Sequence, residues 1–358
     1  MSVLRGYLSR QMAGGIVLVL TALIMLFAFF DLIYELKDVG VQGYRLTAAL
    51  TFVALSLPGH LYELLPVAAL IGTLFAMAQL VIHSEYAVMR TSGMSILALA
   101  LSVMQIGLVF AAATFVTGEF LAPASEEAAQ KLRLKQSSSG VVAQAFRSGL
   151  WVKDETAFVN VARVLYDATL QDVRIYNFDD QYRLRSISQA REGKFVHENL
   201  WILKNVVQTK FDENHTSVAA YATLEWRSVL TPSILSVLLV PPEKMSLWTL
   251  YSYVQHLREN RQESARYEIA LWNKVVYPVA VLVMMILALP FAYMNVREGG
   301  VSTKIFAGIM LGLGFHLLNR LFGHLGQLAA WPPLVAAVLP TVAFLALALL
   351  LIRMLERR

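Results

Sequence analysis

Six apolar stretches, each long enough to cross a bilayer as a helix, stand in two groups of three on either side of a long polar block. They run over residues 12–30, 61–82, 96–116, 269–293, 305–322 and 333–352. A hydrocarbon core of about 30 Å takes roughly 20 apolar residues of helix to cross. Unpaired backbone groups are too costly in that solvent for open sheets or loops. The sequence therefore predicts an α+β membrane protein: six transmembrane helices (3+3) with an antiparallel β domain inserted between helices three and four. Composition agrees, since 57% of residues are hydrophobic and 15% charged, too apolar for a water-soluble domain. A net charge of +5 over 358 residues is too small to argue for nucleic acid as a partner. Without cysteine, neither a disulfide framework nor a thiolate metal site can form. Phe29-Phe30-Asp31-Leu32 lacks the small residues of a signal-peptidase site, so the first stretch reads as a retained anchor.

Lysine and arginine in the short loops set the expected orientation. Arg5, Arg10, Arg90, Arg297, Lys304, Arg353, Arg357 and Arg358 fall on one side, against Lys37 and Arg45 on the other. Both termini are expected in the cytoplasm of a bacterial inner membrane, with the polar block in the periplasm. The domains are then 1–120 (spans one to three, with a cytoplasmic helix over 84–93), 121–245 (the exported β domain and its connectors) and 246–358 (an amphipathic connector helix and spans four to six).

Inside the block the apolar runs shorten and alternate, as in Leu150-Trp151-Val152, Asp172-Val173-Arg174-Ile175-Tyr176 and Leu200-Trp201-Ile202-Leu203. Period-2 alternation with turn residues every 8–12 positions predicts an antiparallel sandwich or open barrel of about seven to nine strands. Trp151, Phe158, Val161, Ile175 and Ile202 are the expected inward face. Ser137-Ser138-Ser139-Gly140 reads as a flexible approach, and Pro232 with Pro241-Pro242 as the exit. Residues 246–259 then carry Leu247, Leu250, Tyr253, Val254 and Leu257 at helical spacing. His197 and His215 are isolated among polar residues, and no Ser/His/Asp set or metal-ligand spacing appears. Binding is the expectation, and an open sheet edge can pair with another protein's strand.

Between spans two and three lies His83-Ser84-Glu85-Tyr86-Ala87-Val88-Met89-Arg90-Thr91-Ser92-Gly93-Met94. Ser84 suits an N-cap, Glu85 the first turn, Arg90 the last turn, and Gly93 the stop. The pattern predicts a two-turn surface helix. It fits either a tight, well-capped connector or a coupling helix that docks into a nucleotide-hydrolysing partner. Gly299-Gly300-Val301-Ser302-Thr303-Lys304 has phosphate-loop residue types in the wrong order and no strand before it. Any ATP and magnesium must be bound by another subunit, and this chain is expected to hold no cofactor.

Polar residues at membrane depth are costly and are functional candidates by default. His316, Asn319, Arg320, His324 and Gln327 form most of a stripe on span five beside Gly312 and Gly323. That stripe fits a cavity rim that receives an anionic group, or an arginine that snorkels to the headgroups. Asp31, Glu35, Lys37 and Asp38 follow span one, and Glu63 sits between Pro58 and Pro66. Gly14-Gly15 and Gly308-x-x-x-Gly312 permit close helix approach.

Taken together, several segments resemble the LptF/LptG family of lipopolysaccharide-export permeases, over essentially the whole length. They are Ser84 to Gly93, Gly118-Glu119-Phe120-Leu121-Ala122-Pro123, Gly149-Leu150-Trp151-Val152-Lys153-Asp154, Arg266-Tyr267-x-x-x-Leu271-Trp272-x-Lys274-x-x-x-Pro278, Asn319-Arg320-Leu321-Phe322-Gly323 and Trp331-Pro332-Pro333. The Leu-Trp-x-Lys and Asn-Arg-Leu-Phe-Gly segments favour the LptG branch. The resemblance implies three spans, a periplasmic β-jellyroll and three more spans. It implies a permease subunit that is not itself catalytic and that extracts lipopolysaccharide from the outer leaflet of the inner membrane. Its implied partners are an LptF-like permease subunit, an LptB-like ATPase dimer, an LptC-like single-span protein and an LptA-like periplasmic bridge.

The same resemblance assigns ATPase coupling to Ser84, Glu85, Tyr86, Met89, Arg90 and Gly93. It assigns substrate binding to Phe30, Lys37, Leu64, Phe315 and Arg320. Asp31 stands where some members carry a lysine, and Asp38 stands beside Lys37, which weakens the expected phosphate clamp. The alternatives are a proton-coupled secondary transporter, for which Glu63 and His316 have no evident relay partners, an intramembrane enzyme, and a non-transporting assembly scaffold.

Overall fold

The computed structural model describes residues 2–40, 44–93, 96–136, 149–154, 156–165, 169–179, 181–197, 199–212, 215–228, 230–231, 241–259, 262–293 and 301–356. Two compact units divide the chain. Met1–Tyr34, Val53–Glu126 and Pro242–Arg358 form the first, and Glu35–Phe52 with Glu127–Pro241 the second.

Among the described residues six helices are long and apolar enough to cross a membrane: α1 (Ser2–Leu36), α2 (Leu46–Ile82), α4 (Ile96–Val116), α7 (Ala265–Tyr293), α8 (Val301–Leu328) and α9 (Pro333–Glu356). Short helix α3 (Glu85–Thr91) joins α2 to α4. A π-turn over Thr117–Leu121 carries α4 into α5 (Ala122–Gln136). A 3₁₀ turn at Pro242–Lys244 and helix α6 (Leu247–Glu259) lead back to α7. As the spacing predicts, α6 buries Leu250, Val254 and Leu257.

The helices outrun the apolar stretches, because backbone pairing continues into half-polar sequence. The largest difference is at α2, which begins at Leu46 and continues through Pro58 and Pro66. A proline interior to a membrane helix is tolerated where neighbours re-satisfy the freed backbone groups. Here the Tyr277 hydroxyl donates to the Glu63 carbonyl at 2.7 Å.

Leu8, Met12 and Ile16 of α1, Ala76, Met77 and Leu80 of α2, Leu99 and Val103 of α4, and Val281 and Met285 of α7 share one buried core. A second core joins Leu70 and Leu74 of α2 and Met284 and Leu287 of α7 to Phe315 of α8 and Phe344 of α9. Span two is mostly enclosed, whereas little of spans one and five is buried.

Of the expected glycine contacts, Gly15 rather than Gly14 makes the close approach. A Cβ on Gly15 would fall 2.7 Å from the Gly72 carbonyl oxygen, while Gly14 faces open space. Gly308 and Gly312 seat the side chains of Leu74 and Val67. A Cβ at Gly72 would lie 2.6 Å from the Ile16 nitrogen, so two backbones must part to admit it. Gly72→Ala is expected to cost about 1–3 kcal/mol, as overpacking does, and to lower the melting temperature in detergent. Gly14→Ala, measured alongside, should leave it unchanged.

In the second unit six strands form one antiparallel meander in sequence order: β1 (Leu150–Asp154), β2 (Ala157–Val164), β3 (Leu170–Phe178), β4 (Leu184–His197), β5 (Leu200–Phe211) and β6 (Thr216–Arg227). Among the described residues six strands stand where seven to nine are expected, because β4, β5 and β6 run 14, 12 and 12 residues without a break. The Ser137–Gly140 approach and Pro232 lie outside the described residues.

The expected inward face is corrected in part. Val161 and Ile175 are buried, whereas Trp151, Phe158 and Ile202 lie on the opposite face, where Trp151 stacks on Tyr176 and Phe158 meets Phe178 edge to face. The buried alternation slips phase at Asp172 and Asn205, both at φ 52°. Leu170, Val173 and Ile175, like Leu203 and Val206, straddle those positions. The misassigned residues lie outside those shifts: Phe158 and Val161 stand three apart on β2, so period 2 by itself puts them on opposite faces. Trp201 is fully buried at the centre, its indole N–H donating to the Leu230 carbonyl at 2.7 Å.

Asp179 closes the β3–β4 turn. Its carboxylate accepts the backbone N–H groups of Gln181 and Arg183 at 3.0 and 2.8 Å and pairs with the Arg183 and Arg185 guanidinium groups. Those donors, the Arg183 N–H first, hold its carboxyl below the usual carboxylate range. A carboxylate with a depressed folded-state pKa contributes its stability above the unfolded value and loses it as pH falls through the folded one. Amide protection factors in this turn, with exchange corrected for its intrinsic pH dependence, should therefore fall on acidification below the ordinary carboxylate range. Asp179→Asn should show the lowered protection at neutral pH and lose the pH step.

Candidate functional site

The short helix α3 realises the expected elbow. Glu85 opens it, and Gly93, at φ 87°, ends the turn that follows. The expected hydroxyl cap is absent among the described residues: Ser84 takes φ 59°, and its carbonyl, not its side chain, accepts the Val88 N–H at 3.3 Å. Glu85 is instead held from span one, where the Tyr7 hydroxyl donates to its Oε2 at 2.8 Å.

Met89 faces inward. It is 5% exposed and belongs to the core formed by α1, α2, α4 and α7, with Tyr86 packed against that core. Ala87, Val88, Thr91 and Ser92 form the exposed side. Arg90 lies in the last turn, its side chain outside the described residues. A helix keyed into four spans on one side and open on the other can pass on a displacement, because packed side chains are nearly incompressible.

Toward the opposite end of the spans, Asp31 of α1 and His60 of α2 pair at 2.5 Å, and the Phe27 ring lies 5.5 Å from the imidazole. The acidic residue that interrupts the expected cation cluster thus has a basic partner, 29 positions away in sequence. Glu35 accepts the Tyr44 hydroxyl at 2.8 Å.

A third cluster gathers where α4 ends. Glu119, in the π-turn, accepts the Leu247 N–H at 2.7 Å and the Trp248 N–H at 3.4 Å, so its carboxylate caps the positive end of α6. Lys274 of α7 is buried, donates to the Met245 carbonyl, and lies 5.7 Å from the centre of the Tyr62 ring. Glu126, also buried, pairs with Lys244 at 2.9 Å. Two carboxylates and one lysine therefore fasten the returning connector to spans three and four.

The expected substrate residues separate. Phe30 is exposed, its ring 6.1 Å from Phe29. Leu64 is half-buried against the α1–α2 contact. Arg320 is exposed on α8. Phe315 is enclosed in the helix core against Phe344, at 5.2 Å, so it shapes the wall from behind. Lys37 is exposed in the turn after α1 and belongs to the second unit. The reading of the sequence missed Tyr7, His60 and Val88. Tyr7 and His60 gain their roles only through partners remote in sequence, and Val88 through the face it occupies. Glu119 and Lys274 were legible as motif residues but not as a clamp.

The family model described as lipopolysaccharide export system permease LptF/LptG matches residues 6–354. Over 353 residues, 98% of each chain, the sequence is 31% identical to the lipopolysaccharide export system permease protein LptG of Escherichia coli K12. Over 340 residues, 95% of each, it is 30% identical to the protein of that name from Haemophilus influenzae.

Proposed function

The chain belongs to the LptF/LptG family of lipopolysaccharide export system permeases, and from that premise we propose that it is the wall and the lever of an ATP-driven lipid extractor. It is a multi-pass inner-membrane permease subunit rather than a catalyst. In the proposed cycle an LptB-like ATPase dimer grips α3, with Glu85 and the exposed side at Val88 toward the partner. Closure of the ATPase moves α3, and Met89 passes the movement into spans one, two, three and four. The observation that carries this reading is the two-sidedness of α3: Met89 sits in the span core while Val88, one residue earlier, is 63% exposed.

The exposed lengths of spans one and five support a cavity shared with an LptF-like subunit and gated by an LptC-like helix. Phe30 and Leu64 would meet acyl chains, and Lys37 and Arg320 would meet phosphates. Lipopolysaccharide would leave along joined sheet edges to LptC-like and LptA-like proteins, with both termini of this chain in the cytoplasm and the β domain in the periplasm. Each buried methylene is worth about 0.8 kcal/mol, so one long acyl chain drawn into water costs on the order of 10 kcal/mol. That cost favours ATP-driven extraction along a sheltered path. The test is co-purification with the ATPase and the second permease, then lipopolysaccharide release from proteoliposomes. Release that needs ATP and all subunits is the expected result. Release without this chain would overturn the reading.

A further inference from the structure

The first turn of α6 exposes two large aromatic side chains, Trp248 at 74% and Tyr251 at 50%, their rings 6.4 Å apart. The opposite face of the helix, Leu250, Val254 and Leu257, is buried, so the helix already has its protein contact. The aromatic pair is left over from it.

The depth of this pair follows from bonds to the spans. Counted from Ile96, where α4 begins, about 20 residues at 1.5 Å each cross a core of about 30 Å, which brings the chain to the boundary near Val116, while the helical backbone runs on through the π-turn into α5. Glu119 lies three residues beyond Val116, at that boundary. Its carboxylate holds the Leu247 and Trp248 N–H groups, so Trp248 starts from that level. Lys274 ties Met245 to span four at the same place. Further along α6 the exposed side turns polar, with Ser252, Arg258 and Glu259. Arg258 pairs with Glu268 at 2.9 Å, and that carboxylate holds its guanidinium charged. The gradient from indole and phenol to guanidinium and carboxylate along one face matches a helix leaving the membrane interface for water. Phe322 and Trp331, paired at 6.1 Å, flank the turn between α8 and α9, which topology puts on the same side of the membrane. Tryptophan and tyrosine concentrate at this level because the ring is apolar and its N–H or O–H is wet.

We propose that Trp248 and Tyr251 insert into the headgroup region of the bulk bilayer, anchoring the connector from the β domain at membrane level. The occupant is ordinary phospholipid, not the exported lipid. The inference needs the six spans but not the transport cycle.

The assembled permease in phosphatidylcholine vesicles without lipopolysaccharide or ATP provides the test. The Trp248 emission is taken as the difference between the wild type and Trp248→Phe. Lipids brominated near the headgroup are expected to remove the greater part of that emission, and lipids brominated near the chain ends much less. Aqueous acrylamide quenching without lipid quenching would overturn the proposal, and so would shielding from both, which would put a protein over the site. Because the chain has no cysteine, a nitroxide on Tyr251→Cys gives a second reading: oxygen contact above that of a water-exposed label is expected, and equality with such a label overturns the anchor. Neither readout involves export, so failure here leaves the permease reading standing.

Discussion

Glu85→Lys is expected to abolish ATP-driven lipopolysaccharide release while leaving the permease in the membrane and folded. Glu85 opens α3 beside its exposed side, where a partner's cation would meet a carboxylate. Reversal puts like charges together. Truncating one member of a buried interfacial charge pair already costs about 2–5 kcal/mol, or a loss of ATPase affinity of roughly 30-fold or more, and reversal costs at least as much. The same substitution breaks the bond from Tyr7, so Tyr7→Phe is the necessary companion. It removes one hydrogen bond worth about 1 kcal/mol and should retain most of the release. Co-purified ATPase and released lipid are the measurements. Wild-type values for Glu85→Lys would remove α3 from the coupling path. A deficit in Tyr7→Phe as large as in Glu85→Lys would assign the effect to helix placement rather than to docking.

Trp201→Ala should produce the largest loss of stability in the β domain. The ring is fully enclosed between Phe195 and Trp226, at 5.4 and 6.1 Å, and such truncations cost about 3–5 kcal/mol. The Leu230 carbonyl also loses its donor, a further penalty of about 1–3 kcal/mol when a buried acceptor is left unpaired. The two penalties together, about 4–8 kcal/mol, take up a large share of the roughly 5–15 kcal/mol that holds an ordinary domain folded. Limited proteolysis of the full-length protein in membranes should cleave between Leu150 and Arg227 in this variant and not in the wild type. Trp201→Phe, which keeps an aromatic ring and loses the hydrogen bond, should fall between them. Protease resistance equal to wild type in Trp201→Ala would mean that the sheet is held by something other than this core.

The membrane plan was legible because its signal is long. Roughly 20 apolar residues in a row outweigh any local irregularity, and even Pro58 and Pro66 did not end α2. Helix α3 was legible from its ends, Glu85 and Gly93. The inward face of the sheet was harder to read, because period 2 carries phase. Phe158 and Val161, an odd number of positions apart on one strand, cannot share a face, and Asp172 and Asn205 at positive φ shift the phase again further along. The clamp at Glu119 joins residues 128 and 129 positions apart, a separation on which no local pattern reports.

Sequence alone determined how many times the chain crosses the bilayer, where the β domain is inserted, and which family the protein joins. Each of these depends on composition over long windows or on motifs whose meaning is local. Tertiary structure decided that Met89 looks into the spans while Val88 looks out, that Asp31 has His60, and that Glu119 ties span three to the returning connector. Such pairings arise only when distant segments pack, since the contact energy depends on which faces meet in space and not on the order of residues along the chain.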